Sequence, residues 1–178
     1  MSKVIIRKTK KRDDDKKPKV YGVYMRSMLD KKVLLHINEI GRTLKSNLEK
    51  KISNEIAGKC IDEGFIKPNS IKVTNYSSGN IRGEYVEYQT IFECMICMPV
   101  EGMLIECVCK SVTKAGIHAE VSDEQGNVPL TLFIARDHHH LNEKMGNIEE
   151  NDTLTARVIG IRFELNDKYI CAIAKLEG

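Results

Sequence analysis

Between residues 100 and 175, apolar side chains recur in five short runs separated by turn-forming residues, the pattern of a small five-stranded barrel. Gly102 opens the first run, 103–112, where Ile105, Val108 and Val112 suit a pleated, half-buried surface. Lys114-Ala115-Gly116 forms a turn, with Gly116 free to take positive φ. The returning run, 117–121, sets Ile117, Ala119 and Val121 on one face and His118 and Glu120 on the other, as one buried and one wet face require. A polar turn at 122–127 leads to a third run, 128–134. A polar excursion, 137–152, precedes a fourth run, 153–163, in which Leu154, Ala156, Val158, Gly160 and Arg162 alternate with Thr155, Arg157, Ile159 and Ile161. An Asn166-Asp167 turn then leads into 169–175. Five strands with the longest excursion between the third and fourth fit an OB-type barrel, a fold that commonly holds nucleic acid.

Upstream the texture changes. Residues 21–29 read as a strand, and a short apolar segment, Val33-Leu34-Leu35, runs directly into His36. Leu44, Leu48, Ile52 and Ile56 recur every four residues, one apolar stripe on a helix, with Lys45, Glu49 and Lys50 outside it. Ala57-Gly58 supplies a glycine where the helix stops. A loop around Asp62-Glu63-Gly64, a short strand at 71–75, a turn at 77–80 and a long strand at 85–98 follow. Pro99 marks the joint, because proline cannot continue a central strand. The fold class is therefore an α+β N-terminal domain, one main helix on an antiparallel sheet, followed by an all-β OB-type barrel. The expected divisions are a basic, disordered head at 1–19, a domain at 20–98 and the barrel at 99–178.

Length and charge bound the function. A chain of 178 residues can bury a core as one or two domains. It has no run of eighteen apolar residues and no apolar signal core, which argues against membrane spanning and secretion. Six cysteines scattered mainly along strands read as reduced, small apolar side chains. Residues 1–19 hold nine Lys or Arg against three Asp, a net of +6, so the rest of the chain is net −3. Residues 99–178 hold eight basic and thirteen acidic residues, a net of −5, which weakens any expectation of tight phosphate binding by the barrel. The head reads as a solvated segment, with a nucleic-acid arm or a nuclear-import signal as its other readings.

The order of features resembles the seventh subunit of eukaryotic RNA polymerase II, a plan shared by its archaeal counterpart and by the corresponding subunits of polymerases I and III. The resemblance is carried by Leu34-Leu35-His36, the helix closing on Ile56-Ala57-Gly58-Lys59-Cys60, Gly64-Phe65, Tyr88 and Phe92 on the long strand, Pro99 and Gly102. It continues through Val108, Val112-Thr113-Lys114-Ala115-Gly116-Ile117, Phe133-Ile134-Ala135-Arg136, Val158, Gly160, Arg162, Asn166-Asp167 and Ala172-Ile173, and so covers about residues 20–176. It implies a noncatalytic stalk subunit whose N-terminal tip docks on the polymerase core and whose barrel projects near emerging RNA, without a cofactor of its own. The partners implied are the core subunits, a fourth-subunit-like protein packed along both domains, and nascent RNA, with no membrane.

Carried onto this chain, the tip is the region 58–66 with the neighbouring turn at Gly79, so Gly58, Gly64, Phe65, Ile66 and Gly79 are the core-docking candidates. The same residues also read as turn glycines and core positions. Lys110, Lys114, His118, Phe133, Arg136 and Arg162 are the RNA-binding candidates, supplying rings for stacking and cations for phosphate. Relatives tend to carry an aromatic residue where this chain has His118, which stacks less extensively. Phe133 also reads as core.

Two constellations could be mistaken for chemistry. Cys94-Met95-Ile96-Cys97 with Cys107-Val108-Cys109 offers four thiols, yet the second pair has one intervening residue and shares a strand face, a poor zinc spacing. Consecutive histidines, His138-His139-His140, on an irregular loop point in different directions. No phosphate-binding glycine loop or nucleophile elbow is present in the sequence. The competing readings are a free RNA-binding or translation factor with a ribosomal-type barrel, and a metal-dependent protein built on the cysteine pairs. The extra basic head and the compact excursion at 138–151 suit a large DNA virus that encodes its own polymerase as well as a divergent eukaryote. The expected location is accordingly the nucleus, or a cytoplasmic replication site or virion.

Overall fold

The computed structural model describes residues 22–136 and 147–177. The basic head and the run His138-His139-His140 lie outside the described residues.

The N-terminal unit is built around one long strand. That strand, β6 (Tyr85–Cys97), pairs along its whole length with β1 (Tyr24–His36), antiparallel, from Tyr24 opposite Cys97 to His36 opposite Tyr85. Its other edge is shared by three short strands, β5 (Asn80–Arg82), β4 (Lys72–Tyr76) and β3 (Gly64–Ile66), and β3 closes a tight hairpin with β2 (Cys60–Ile61). Helix α1 (Leu44–Ile56) lies across the sheet and buries Leu48, Ile52 and Ile56 against Val33, Leu35, Val73 and Phe92. The four-residue stripe thus does what its spacing predicts. Glu49, off the stripe, accepts a hydrogen bond from the Val73 backbone N–H at 2.9 Å and ties the helix to β4.

Three features differ from the sequence reading. Residues 24–36 form one continuous strand, because Asp30 accepts from Gln89 and Lys31 pairs with Glu55 at 2.9 Å. The charged triplet Asp30-Lys31-Lys32 therefore does not break the ladder. His36 is a cap: its Nδ1 accepts from the Asn38 N–H at 3.2 Å and starts a 3-10 turn, η1 (Ile37–Glu39). The strands β2, β3 and β5, two or three residues each, are too short to carry a periodic signal.

The C-terminal unit is a closed barrel of β7 (Leu104–Val112), β8 (Gly116–Val121), β9 (Leu130–Ala135), β10 (Thr153–Arg162) and β11 (Ile170–Leu176). Three strands form a meander, β9 runs parallel to β11, and β10 closes the barrel onto β7, which is the OB topology. In β10 the strict alternation fails. A bulge between Val158 and Gly160 inserts one residue and shifts the phase. Leu154, Ala156 and Val158 face the core, but beyond the bulge Ile161 packs toward it, while Gly160 and Arg162 pair with Ile173 and Cys171, residues of the outer face.

The two units share a core. Cys60, Phe65 and Cys97 pack in one buried cluster with the barrel's Ile105, Leu130, Leu132 and Ile170. Across the joint the Cys60 N–H donates to the Asp167 carbonyl and the Asn166 N–H donates to the Cys60 carbonyl, each at 2.8 Å. Two reciprocal backbone bonds over an apolar contact hold the β10–β11 turn against the β2–β3 hairpin.

Candidate functional site

Five of the six predicted RNA-facing residues gather on the outer β7–β8–β9 face. His118 and Phe133 are cross-strand partners, their ring centroids 4.8 Å apart at a tilt of 47°. Gly116 makes this possible. Its φ is not in the left-handed region, contrary to the turn reading; what it supplies is room, since a Cβ there would sit 2.3 Å from the Ile134 carbonyl oxygen and 3.0 Å from the Phe133 ring. The Arg136 N–H donates to the Ala115 carbonyl at 3.0 Å, which brings Arg136 beside the turn carrying Lys114. Lys110 sits at the bulge between Cys109 and Ser111 and lies 4.0 Å from the Glu120 carboxylate, so its charge is partly spoken for.

Arg162 does not join this group. It stands at the end of β10 opposite Cys171, paired with Glu164 at 3.6 Å. In its place the fold supplies Ile173, half exposed, which the parallel β9–β11 pairing sets beside Phe133. His118, Phe133 and Ile173 make one continuous outer row across three strands. The alternation of Ile173 with buried Ala172 and Ala174 marks it as outward, but nothing local in the sequence puts it next to Phe133.

The docking candidates are dispersed. Gly64 has φ +123°, and a Cβ would lie 2.5 Å from the Cys97 carbonyl oxygen, so only glycine lets β3 approach β6 this closely. Phe65 and Ile66 are 2% and 0% exposed, the first in the core shared with the barrel and the second under the helix. Their side chains are internal and present nothing to a partner. Gly79 packs near Val86 and Tyr88, whereas Gly64 packs near Cys97, so the two lie on the order of 30 Å apart along β6 at about 3.3 Å per residue. The turn at Gly79 is not a neighbour of the 58–66 region, because β4 and β5 run along β6 away from β3. The exposed part of the tip is the hairpin turn, Asp62 and Glu63, together with partly exposed Gly58 and Lys59.

A further contact crosses the joint. Tyr24 Oη donates to Asp123 at 3.4 Å, and Lys67 Nζ lies 5.0 Å over the Tyr24 ring. Burial, and after it the Asp123 carboxylate, push the phenol well above its ordinary value. Desolvation pushes Asp123 up, but the hydrogen bonds from Asn127 and Gln125 outweigh it and hold the carboxyl below its usual range.

The cysteines of the two pairs do not converge. Cys94 belongs to the helix-backed core, whereas Cys97, Cys107 and Cys109 lie in the shared core. Among the described residues, no three His, Cys, Asp or Glu side chains are grouped to hold a metal ion. Burial pushes the Cys97 and Cys107 thiols up to about 12 from 9.0. A raised folded pKa favours the neutral thiol, so this contribution is complete below about pH 9 and is lost as pH rises toward 12. The unfolding free energy from urea titration is expected to hold between about pH 7 and 8.5 and then fall, by on the order of 1–2 kcal/mol per thiol at about pH 10. An equally steep fall in the Cys97→Ala/Cys107→Ala variant would show that other groups control it.

A helix-backed antiparallel sheet fused through a common core to a closed five-stranded OB-type barrel, whose outer face carries the His118–Phe133 ring pair beside Lys114 and Arg136, defines a two-unit α+β and barrel protein. No protein-family profile matches the chain. It is similar, at 26% identity over 165 residues, to a protein of Acanthamoeba polyphaga mimivirus provisionally assigned as DNA-directed RNA polymerase subunit L376, covering 87% of this chain and 82% of the viral one. It is also similar to the DNA-directed RNA polymerase II subunit RPB7 of Glycine max (27% over 116 residues) and to DNA-directed RNA polymerase II subunit 7 of Arabidopsis thaliana (26% over 117 residues). Each plant match covers 64% of this chain but 62% of the plant subunit, less than two thirds of its length. These relatives agree with the resemblance to the seventh polymerase II subunit read from the sequence.

Proposed function

We propose that this chain is a noncatalytic stalk subunit of a multisubunit DNA-directed RNA polymerase, with residues 20–98 as the core-docking domain and residues 99–178 as the RNA-facing barrel. The observation that carries this reading is the similarity to a polymerase subunit over 87% of the chain, too long to be a match of the barrel alone. Nucleotidyl transfer then belongs to the complex. The chain contributes position: the joint fixes the barrel relative to the docking unit, and the His118–Phe133–Ile173 row offers bases a surface to stack on while Lys114 and Arg136 meet phosphate.

Binding to RNA is weak and sequence-tolerant in this account. Only two rings and about three cations converge, on a barrel whose net charge is −5. The polymerase compensates by holding the transcript nearby, which raises its effective concentration. For a fourth-subunit-like partner, the helix-free face of β1 and β6 offers Met28, Leu34, Tyr85 and Ile91, all exposed. The site of action follows the polymerase: the nucleus, or a cytoplasmic replication site or virion for a viral enzyme.

Affinity purification of the tagged full chain from its native source, with mass spectrometry after a moderate salt wash, tests the reading. Recovery of the two largest polymerase subunits in comparable amount is the expected result. Ribosomal proteins or RNA without polymerase would replace it with a free RNA-binding factor.

A further inference from the structure

The outer wall of the barrel holds a groove of about 200 Å³ that none of the roles above uses. It crosses three strands: Val108 on β7 stands between Glu120 on β8 and Thr153 on β10, and Glu106, Val121 and Ser122 complete the lining. Val108 and Val121 are half buried and make the floor apolar, Glu106 and Glu120 supply charge, and no Lys or Arg lines the groove. Among the described residues Glu106 has no ion-pair partner, and Glu120 has only Lys110, 4.0 Å away. Such a groove repels phosphate and suits ammonium groups whose aliphatic stems lie along the two valines. A polycationic segment of the same chain joins the fold beside it. Val23 packs on the shared core, and Tyr24 Oη donates to Asp123, which directly follows Val121 and Ser122. Residues 1–19 carry a net +6, against −5 on the barrel. Lys17 and Lys16 precede Val23 by six and seven residues, a reach of about 20–25 Å, while Glu120 stands three residues, about 10 Å, from Asp123.

We propose that the basic head, residues 1–19, docks in this groove of its own barrel, with Lys16, Lys17 and the run Lys10-Lys11-Arg12 set against Glu120 and Glu106. Exposed ion pairs are individually worth little, but the short tether makes the encounter intramolecular, at an effective concentration on the order of millimolar. The contact has a consequence for the neighbouring surface. His118 lies two residues from Glu120 on the same face of β8, so the docked head offsets the barrel's negative charge at the border of the His118–Phe133 ring pair. It is made within one chain and does not depend on the polymerase reading.

The test is carbodiimide crosslinking of the full chain at low salt, with the amide links mapped by mass spectrometry. Links from head lysines to Glu106 and Glu120 of the same chain are expected to exceed those to Glu84 and Glu101, both exposed, by on the order of tenfold. Lys16→Glu/Lys17→Glu, which leaves the barrel's residues unaltered, should cut the links made by Lys10 and Lys11 by a similar factor. Salt at about 1 M, where the screening length is about 3 Å, should abolish the excess. An even spread of links over the exposed carboxylates would return the head to a solvated or nucleic-acid-binding arm and overturn the docking. Links that join light to isotopically heavy chains in a mixture would overturn it too, because the groove would then hold the head of a second copy.

Discussion

Phe65→Ala is expected to lower the unfolding free energy by about 3–5 kcal/mol, among the largest effects of any single substitution in this chain. The ring is 2% exposed and lies in the cluster that also contains Cys60, Cys97, Leu130 and Leu132, so its removal leaves a void where the two units meet. Register places it between Cys60 on β2 and Cys97 on β6, and neither a short hairpin nor a central strand can shift inward to refill the space. Phe65→Leu, which keeps most of the volume, should cost far less. A docking contact made by the ring would behave differently: stability would be preserved and only retention of polymerase would fall. Urea unfolding separates the two, and a change within about 0.5 kcal/mol would return Phe65 to the surface role that its place in the resemblance implies.

The second large effect concerns RNA. Phe133→Ala should weaken binding of a fluorescent single-stranded RNA by about 1–3 kcal/mol, roughly five- to 150-fold, and His118→Ala by less because its ring is smaller. Phe133 is half buried and covers Gly116, so the barrel could loosen as well; Phe133→Leu retains the packing while removing the stacking face and should lose nearly as much affinity. Charge reversal at Lys110, Lys114 and Arg136 should reduce crosslinking to nascent RNA while leaving assembly intact. With about three cations engaged, the slope of log affinity against log salt should be no steeper than about −2. Lys110 should contribute least, since Glu120 stands 4.0 Å away. Unchanged binding in Phe133→Ala would move the RNA path to another face.

Legibility in the sequence followed the range of the interactions. The α1 stripe and the barrel strands could be read because each buries one face against a continuous core, and such burial writes a period into neighbouring residues. The strands β2, β3 and β5 escaped because they are too short for a period. The bulge at 158–160 escaped because Ile159 and Ile161 look alike to any alternation rule, although the first is exposed and the second packs inward. Gly64 and Gly116 were recognisable as glycines that mattered, but the carbonyls that require them, of Cys97 and Ile134, lie 33 and 18 residues away.

Residue order alone establishes the element types, the succession of a helix-backed sheet and a five-stranded barrel, the buried face of most strands, and the resemblance to a polymerase subunit. Folding in three dimensions adds that Phe65 seals the joint rather than projecting from it, that Gly79 is remote from the tip, that Ile173 extends the ring pair in place of Arg162, and that the Asn166-Asp167 turn is bonded to Cys60 across the joint. One cause underlies all four. Local periodicity records that a side chain is buried or wet, whereas its neighbours are chosen by strand pairings and domain contacts between residues far apart in the chain.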